Sequence, residues 1–293
     1  ADTVFMVEYS EQSAPGKVRY TGSFTKENIS LRGEDVKTGE IVLEQGTLVK
    51  PRDIAIMATV GCTSVRVSRK IRIAVISSGD ELVEPSEKPG IAGIRNSNAY
   101  QLMAQVEKAG ATGKYLGIAR DNEEETLRML KEALSVSDIV LITGGVSMGD
   151  FDFIPSVMER AGVKILFSRV KVQPGKPTTF GVHSNALVFG LPGNPVSSFV
   201  QFELLVKPLL LKMMGNDYKP LTVPLQMESL FTRKAADRMG WIPVGITGDG
   251  HVLPVEYHGS GHVSSLAAAD GLVALKIGKH KLEKGEVVSV RFL

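Results

Sequence analysis

Acidic side chains follow three separate runs of apolar residues, each of which predicts a buried β-strand. The runs and their acids are 71–76 with Asp80 and Glu81, 113–118 with Asp121, and 139–142 with Asp150 and Asp152. Since the carboxyl ends of parallel strands meet at one edge of a sheet, we expect these carboxylates to lie together. Carboxylate oxygens are ligands of Mg²⁺, so the pattern predicts a divalent-cation site. Asp121 also stands where a helix N-cap is expected.

A glycine-rich loop follows the third of these strands, with the sequence Thr143-Gly144-Gly145-Val146-Ser147-Met148-Gly149. Glycine permits a sharp turn and a close approach of a ligand to the main chain, and free N–H groups at a helix start attract an anion. The loop matches neither G-x-G-x-x-G nor the P-loop, which disfavours a dinucleotide dehydrogenase and a P-loop ATPase. A hydrolase triad lacks support, because G-x-S-x-G is absent and the five histidines have neither triad nor metal spacing.

Two later loops add cations and the start of a second helix. Arg169, Lys171 and Lys176 surround a Pro-Gly turn, and Leu191-Pro192-Gly193-Asn194-Pro195 leads into a long apolar helix that begins near Ser197. Cations and helix N–H groups attract an oxyanion, whereas the carboxylates would hold a metal ion. An anion beside a divalent cation indicates phosphate chemistry rather than hydride or acyl transfer.

The elements that must position these residues fall into three regions. Strands and amphipathic helices alternate over 70–216, which predicts an α/β domain with a doubly wound, mostly parallel sheet. Residues 1–69 predict a β-rich region with strands at 4–7, 18–23 and 41–43 and a connecting helix. Residues 217–293 contain short strands between Gly and charged turns, so a C-terminal all-β domain is expected.

Composition limits the classes of partner. The net charge is +2, from 34 basic and 32 acidic residues, and it gives no global field for nucleic acid or a membrane. The apolar stretch 196–214 contains Gln201, Glu203 and Lys207, so it predicts a core helix and no membrane span. The single cysteine, Cys62, excludes an intrachain disulfide, is expected to be buried, and fits a reducing, cytoplasmic location.

Several motifs occur in an order that resembles the MoeA family, whose animal counterpart is the gephyrin E domain. They are Ser78-Gly79-Asp80-Glu81-Leu82, Asn96-Ser97-Asn98, Thr143 to Gly149, Pro174-Gly175-Lys176-Pro177 and Gly190 to Ser197. The resemblance runs from Arg32-Gly33-Glu34-Asp35 to Gly259-Ser260-Gly261-His262. It implies a MogA-like molybdopterin-binding domain and a homodimeric, Mg²⁺-dependent molybdopterin molybdenumtransferase. Such an enzyme takes adenylylated molybdopterin and molybdate, inserts the metal into the dithiolene and releases AMP.

The resemblance also implies roles for individual residues. Glu81, Asp121 and Asp152 match acidic catalytic and metal-binding positions, and Asp35 matches an acid contributed by the β-rich region. The loops described above and the resemblance together give the candidate substrate-binding positions, which are Gly144, Gly145, Ser147, Gly149, Arg169, Lys171, Lys176, Pro192, Pro195, Ser197, Arg238 and Ser260.

Two features depart from the family pattern. Gln173 stands where many relatives have Lys, so molybdate would be held by fewer charges. Relatives also begin with a further segment that contains a Ser-Ala-Met-Asp-Gly-Tyr-type motif, completes the dimer surface and supplies an acid across the interface. We therefore expect impaired activity of this chain alone. Two alternatives remain open: a molybdopterin adenylyltransferase and a non-catalytic, gephyrin-like scaffold.

Overall fold

The computed structural model describes residues 3–26, 28–145, 153–256, 259 and 261–293. Its chain forms two compact units, 1–66 and 67–293, and each is considered by itself.

The described residues of the unit 1–66 form a hairpin and an α-helix. Strands β1 (Ser10–Ala14) and β2 (Lys17–Tyr20) pair antiparallel, and helix α1 (Pro51–Thr59) begins at a proline. The predicted strands at 4–7 and 41–43 are wrong, because the first ends in the 3₁₀ turn Val7–Tyr9 and the second lies in a bend. A β-branched run becomes a strand only where a neighbouring strand offers a hydrogen-bonding edge. Cys62, expected to be buried, is exposed.

The α/β region contains a six-stranded sheet, which positions the candidate site. Its strands and the short strands around it are β3 (Arg72–Ser78), β4 (Leu82–Val83), β5 (Ile94–Arg95), β6 (Thr112–Ala119), β7 (Ile139–Thr143), β8 (Lys164–Phe167), β9 (Val172–Gln173), β10 (Thr179–Val182) and β11 (Leu187–Leu191). The order is β6-β3-β7-β11-β10-β8. Only β10 runs against the others, so the predicted mostly parallel sheet is confirmed.

Helices cover both faces of this sheet. They are α2 (Asn98–Lys108), α3 (Glu123–Val136), α4 (Ile154–Arg160), α5 (Pro195–Gln201) and α6 (Lys207–Met213). In β7, Ile139 and Leu141 pack in the cluster with α2 and α6, whereas Val140 and Ile142 pack in the cluster with α3 and α4. This alternation is why the strand is apolar at consecutive positions. The helix predicted over 196–214 is interrupted by a π-helical turn at Phe202–Val206.

The region 217–293 is built of β-strands with one short helix. Its elements are β12 (Thr222–Gln226), β13 (Phe231–Thr232), β14 (Met239–Ile246), β15 (Val252–Pro254), α7 (Ser264–Ala267), β16 (Gly271–Leu275), β17 (Lys281–Leu282) and β18 (Val287–Phe292). The main sheet has the order β12-β18-β16-β14-β15, and β9 pairs with β14. The Arg291 guanidinium anchors this region by donating to the main-chain oxygen of Glu203, so the β region packs on the π-helical turn.

Candidate active site at the carboxyl edge of the parallel sheet

A cleft of about 750 Å³ opens where strands β3, β6, β7 and β11 end. Its walls come from the turn after each of these strands, from the start of α2 and from the β-rich C-terminal region. The predicted site residues that line it are Glu81, Asp121, Gly144, Gly145, Pro192 and Pro195. The structure therefore brings these residues to one edge, as parallel strand ends require.

The acids after β3 and β6 are joined through the main chain. The Asp80 N–H donates to Asp121 Oδ2 (3.3 Å), and the Asp121 N–H donates to Asp80 Oδ1 (3.1 Å). The expectation that Asp121 caps α3 is wrong, because Asn122 Oδ1 accepts from the N–H groups of Glu124 and Glu125 at 2.9 and 3.0 Å. Since the neighbouring amide takes the capping role, the Asp121 carboxylate is left at the cleft.

Glu81 lies beside a glycine. A Cβ added at Gly79 would lie 2.5 Å from Glu81 Oε2, the movable end of that side chain, and the φ of +151° is what favours glycine at this position. Within the described residues, no hydrogen bond or ion pair involves this carboxylate. Its oxygens can therefore meet a ligand.

The glycine loop brings two main-chain segments into contact. Gly144 has a φ of +96°, and a Cβ there would lie 2.1 Å from the main-chain oxygen of Ser78. A Cβ at Gly193 would lie 3.5 Å from the Gly144 Cα. The glycines thus let two main-chain segments approach each other, whereas the expected approach of a ligand to this loop stays a prediction. The other predicted members at the site, Ser147, Gly149, Asp150, Asp152 and Ser260, lie outside the described residues.

Asn98 joins three walls of the cleft, a role that the sequence pattern did not indicate. Its Nδ2 donates to Thr143 Oγ1 (2.9 Å) and to the Gly193 main-chain oxygen (2.7 Å). Thr143 Oγ1 in turn donates to the Pro192 main-chain oxygen (3.2 Å). The start of α2, the end of β7 and the loop after β11 are therefore fixed together. The available signal was the Asn96-Ser97-Asn98 motif, which had no assigned role.

A second polar network holds the segment that carries Glu81. The hydroxyls of Tyr100 and Tyr115 each donate 2.8 Å bonds to the Glu84 carboxylate, and Asn96 Nδ2 donates to the Tyr115 oxygen (2.8 Å). Burial raises the pKa of Tyr115, and acceptance by Glu84 raises it further. The hydroxyl therefore stays a donor, which keeps the segment around β4 attached to β6 and α2.

The loop that carries Arg169, Lys171 and Lys176, called the basic loop below, lies between the α/β and β regions. Gln201 Nε2 donates to the Pro174 main-chain oxygen (2.9 Å), and a Cβ at Gly175 would lie 2.3 Å from the same nitrogen. Lys171 and Lys176 are exposed, as is Arg169. The Met239 N–H donates to the Lys171 main-chain oxygen (2.9 Å), so Arg238 is next to this loop in the β9–β14 pairing.

Comparisons with known proteins identify the family. Models described as "MoeA N-terminal region (domain I and II)", "Probable molybdopterin binding domain" and "MoeA C-terminal region (domain IV)" match residues 1–61, 74–212 and 231–293. A molybdopterin molybdenumtransferase from Staphylococcus epidermidis is 36% identical over 99% of this chain and 70% of its own length. The chain belongs to the MoeA family. The predicted family and its enzyme class are therefore confirmed.

Two further relatives agree with this MoeA assignment. The molybdopterin molybdenumtransferase of Bacillus subtilis is 36% identical over 99% of this chain and 69% of its own length. The crystal structure of a molybdopterin biosynthesis MoeA protein from Pyrococcus horikoshii superposes with a TM-score of 0.79 at 31% identity, covering 99% of this chain and 72% of that one. None of the helices that the structure describes in this MoeA chain is long and apolar enough to span a membrane.

Other predicted site residues that the structure describes do not line the cleft at the carboxyl edge, and one of them lies in the unit 1–66. Ser197 is only 3% exposed and is not a wall residue of the cleft. Arg238 forms a 3.5 Å ion pair with Asp237. Asp35 belongs to the unit 1–66, where it lines a cleft of about 770 Å³ formed by residues of that unit.

The donor chemistry at the carboxyl edge suits Mg²⁺. Glu81 and Asp121 offer carboxylate oxygens in an open cleft, the ligand type that Mg²⁺ prefers. Elsewhere in the described chain, Glu228, Asp249 and His251 have ligand atoms within 4.8 Å of one another. Thr247 Oγ1 donates to Asp249 (2.6 Å) and Lys284 lies 3.5 Å from Glu228, so ordinary turn and ion-pair contacts explain that group.

Proposed function

We propose that this chain catalyses the Mg²⁺-dependent insertion of molybdenum from molybdate into adenylylated molybdopterin, with release of AMP. The observation that supports this most strongly is the cleft at the carboxyl edge, where the carboxylates of Glu81 and Asp121 are lined up with glycine main chain and a helix start. Family membership supports the same reaction, because relatives with at least 35% identity carry the name molybdopterin molybdenumtransferase.

The proposed reaction balances without any redox partner. The two sulfurs of the pterin dithiol bind molybdenum, and one oxo group of molybdate leaves with their two protons as water. A water cleaves the phosphoanhydride, which leaves a phosphate monoester on the pterin and releases AMP. Molybdenum stays hexavalent throughout, so the protein must supply positioning and charge stabilisation.

Glu81 and Asp121 are the described residues that would hold Mg²⁺. When bound, the ion would neutralise charge that develops on the phosphates. The turn after β7 would bring Gly144 and Gly145 main chain against the phosphates, because neither residue has a side chain in the way. The Asn98 and Glu84 networks would keep these walls at a fixed separation, as a reaction between two bound substrates requires.

Molybdate is proposed to bind at the basic loop. Lys176, Lys171 and Arg169 provide exposed cations there, and Arg238 is next to them. The neutral Gln173 lowers the charge available to the dianion, so we expect weaker molybdate binding than in relatives with Lys at that position.

Homodimer formation is also proposed, on the basis of the unit 1–66. Val7, Phe24 and Ile41 are 77%, 78% and 75% exposed, which suits a surface covered by a second copy of the chain. Sedimentation velocity tests this: a species of twice 31.6 kDa is expected. A monomer at every concentration would contradict it.

The reaction itself is tested with adenylylated molybdopterin, molybdate and Mg²⁺, with AMP measured by chromatography and pterin-bound molybdenum by mass spectrometry. We expect AMP release to need both molybdate and Mg²⁺. Sulfate is the matched control, because it is a tetrahedral dianion without a metal. AMP release that is equal with sulfate would contradict insertion, and formation of adenylylated pterin from ATP would instead support an adenylyltransferase.

A further inference from the structure

The first turn of α2 forms one wall of the cleft, and one of its N–H groups, that of Ala99, donates to the Asn96 side-chain oxygen (3.2 Å), which leaves the other N–H groups of the turn for a ligand. Helix α2 has 11 residues, and the Ser97 side chain at its N-cap position makes no capping hydrogen bond. Ser97 and Asn98 both line the cleft. Unsatisfied N–H groups and the helix dipole make such a terminus favourable for an anion.

Two buried polar atoms beside this terminus lack partners. Ser78 is 3% exposed and Asn98 is 9% exposed, and both residues line the cleft. No hydrogen bond to Ser78 Oγ or to Asn98 Oδ1 occurs within the part of the chain that is described. Because a buried polar atom without a partner costs free energy, these atoms indicate that a ligand completes the wall. Ser78 can donate to an oxyanion, and Asn98 Oδ1 can accept an N–H from a heterocycle.

Arg95 is the cation of this wall. Among the described residues that line the cleft, it is the only basic one. Its Nε donates to the Pro85 main-chain oxygen (3.1 Å), which orients the guanidinium while leaving Nη1 and Nη2 without a recorded partner in the described chain. Two parallel N–H donors are the geometry that binds a phosphate with two hydrogen bonds.

We infer that Arg95 is a phosphate-binding residue that holds a phosphate of the substrate against the first turn of α2. The inference rests on the proposed function and adds a residue that the family motifs did not assign. The cation stands on the same wall as Ser97, and the acids Glu81 and Asp121 line the same cleft. A phosphate between them would therefore contact the guanidinium directly and the carboxylates through a divalent cation.

The test is calorimetric titration of inorganic pyrophosphate and of AMP, each with Mg²⁺, into the wild-type chain and its variants. Arg95→Gln should weaken binding about tenfold or more, because a charge-assisted hydrogen bond is lost. Arg95→Lys should retain part of the affinity, since it keeps the charge without the planar pair of donors. Lys88→Gln is the matched control: it removes one exposed cation from the same segment, away from the cleft, and should bind as wild type.

Several outcomes would overturn the inference. They are wild-type affinity of Arg95→Gln, an equal loss in Lys88→Gln, or no binding of either probe to the wild-type chain. Thermal melts of the variants show whether Arg95→Gln has a folding defect. If it has, the affinity of Arg95→Lys for the two probes is used to test the inference.

The proposal for Arg95 and the proposed function can fail separately. Molybdate-dependent AMP release with unchanged pyrophosphate binding in Arg95→Gln would reject only the Arg95 assignment, whereas Arg95-dependent binding without that release would reject only molybdenum insertion.

Discussion

Asp138 and Glu81, which lie at the two opposite edges of the parallel sheet, differ in the hydrogen-bond partners of their carboxylates. At the amino edge, Asp138 precedes β7 and accepts from Arg69 Nη1 and Nη2 at 2.7 and 3.0 Å and from the Arg72 N–H at 2.8 Å. At the carboxyl edge, the Glu81 carboxylate has no such partner among the described residues. The Asp138 carboxylate already accepts several hydrogen bonds and is not available to a ligand, whereas the Glu81 carboxylate is available.

The same contrast is present in the charge state of the acids. The hydrogen bonds from Arg69 hold the pKa of the Asp138 carboxyl well below its usual range, and bonds from Arg72 act in the same direction. Such an acid stays ionised and stabilises the fold. Acids at strand ends therefore have two uses, and bonds from cationic side chains mark the structural one, since Asp121 accepts only the Asp80 N–H among the described residues.

Gly144→Ala should have the largest effect, because the added side chain would clash with main chain at the carboxyl edge of the sheet. The new Cβ would lie 2.1 Å from the Ser78 main-chain oxygen at a φ of +96°. We expect a loss of more than about 2 kcal/mol in the free energy of unfolding, together with loss of AMP release. Urea denaturation measures the first. The matched control is Gly248→Ala, in a turn with open space around it, and a stable Gly144→Ala variant would contradict the packing described.

Glu81→Gln should abolish function with little effect on folding. The amide removes a charged metal ligand, so Mg²⁺-dependent AMP release should fall about a hundredfold or more. The free energy of unfolding should change by less than about 0.5 kcal/mol, since the exposed carboxylate makes no recorded contact. Asp217→Asn, an exposed acid outside the cleft walls, is the control. Turnover within twofold of wild type would remove Glu81 from the reaction.

Asp138→Asn should show the reverse pattern. Losing hydrogen bonds to a charged acceptor should cost about 2 to 3 kcal/mol of unfolding free energy while leaving AMP release intact under conditions where the variant is folded. Because the folded pKa is lowered, the stabilisation is complete above the ordinary value of 3.8 and declines as the pH falls from there towards the lower folded pKa. Urea melts from pH 7 to pH 3 should thus show the stability difference between the two proteins becoming smaller. A constant difference would contradict the ion-pair explanation.

Tyr115→Phe should have the smallest effect of the set. It removes one hydroxyl between Asn96 and Glu84, so about 1 kcal/mol of stability should be lost at neutral pH. The raised pKa of Tyr115 means that its contribution is complete below the ordinary value of 10.0 and declines as the pH rises towards the folded pKa. Thermal melts at pH 7 and pH 11 check this, with Tyr9→Phe, whose side chain is exposed, as the control.

Local patterns predicted most of the fold. The apolar runs at 71–76 and 139–142 and the Gly-rich turns were sufficient for the parallel sheet and for the placement of acids at its carboxyl edge. The predicted strands at 4–7 and 41–43 failed because pairing depends on a partner strand, which no local pattern shows. The N-cap was misplaced by one residue, since Asp121 and Asn122 are both good caps and only the main-chain path decides between them.

Tertiary side-chain contacts were not accessible from the sequence. Asn98 meets Gly193 across 95 positions, and Tyr115 meets Glu84 across 31. Such pairs leave no periodic signature in a single sequence. Arg95 was missed for a similar reason, because its place in the cleft depends on the pairing of β5 with β4.

The most direct test compares Asp121→Asn with Asp138→Asn in one experiment that measures molybdate-dependent AMP release and the free energy of unfolding. The acids differ by one atom from their amides in each case and lie at opposite edges of the same sheet. We expect Asp121→Asn to lose activity and keep its stability, and Asp138→Asn to lose stability and keep its activity. Equal activity of the two variants, with equal stability, would contradict the assignment of catalysis to the carboxyl edge.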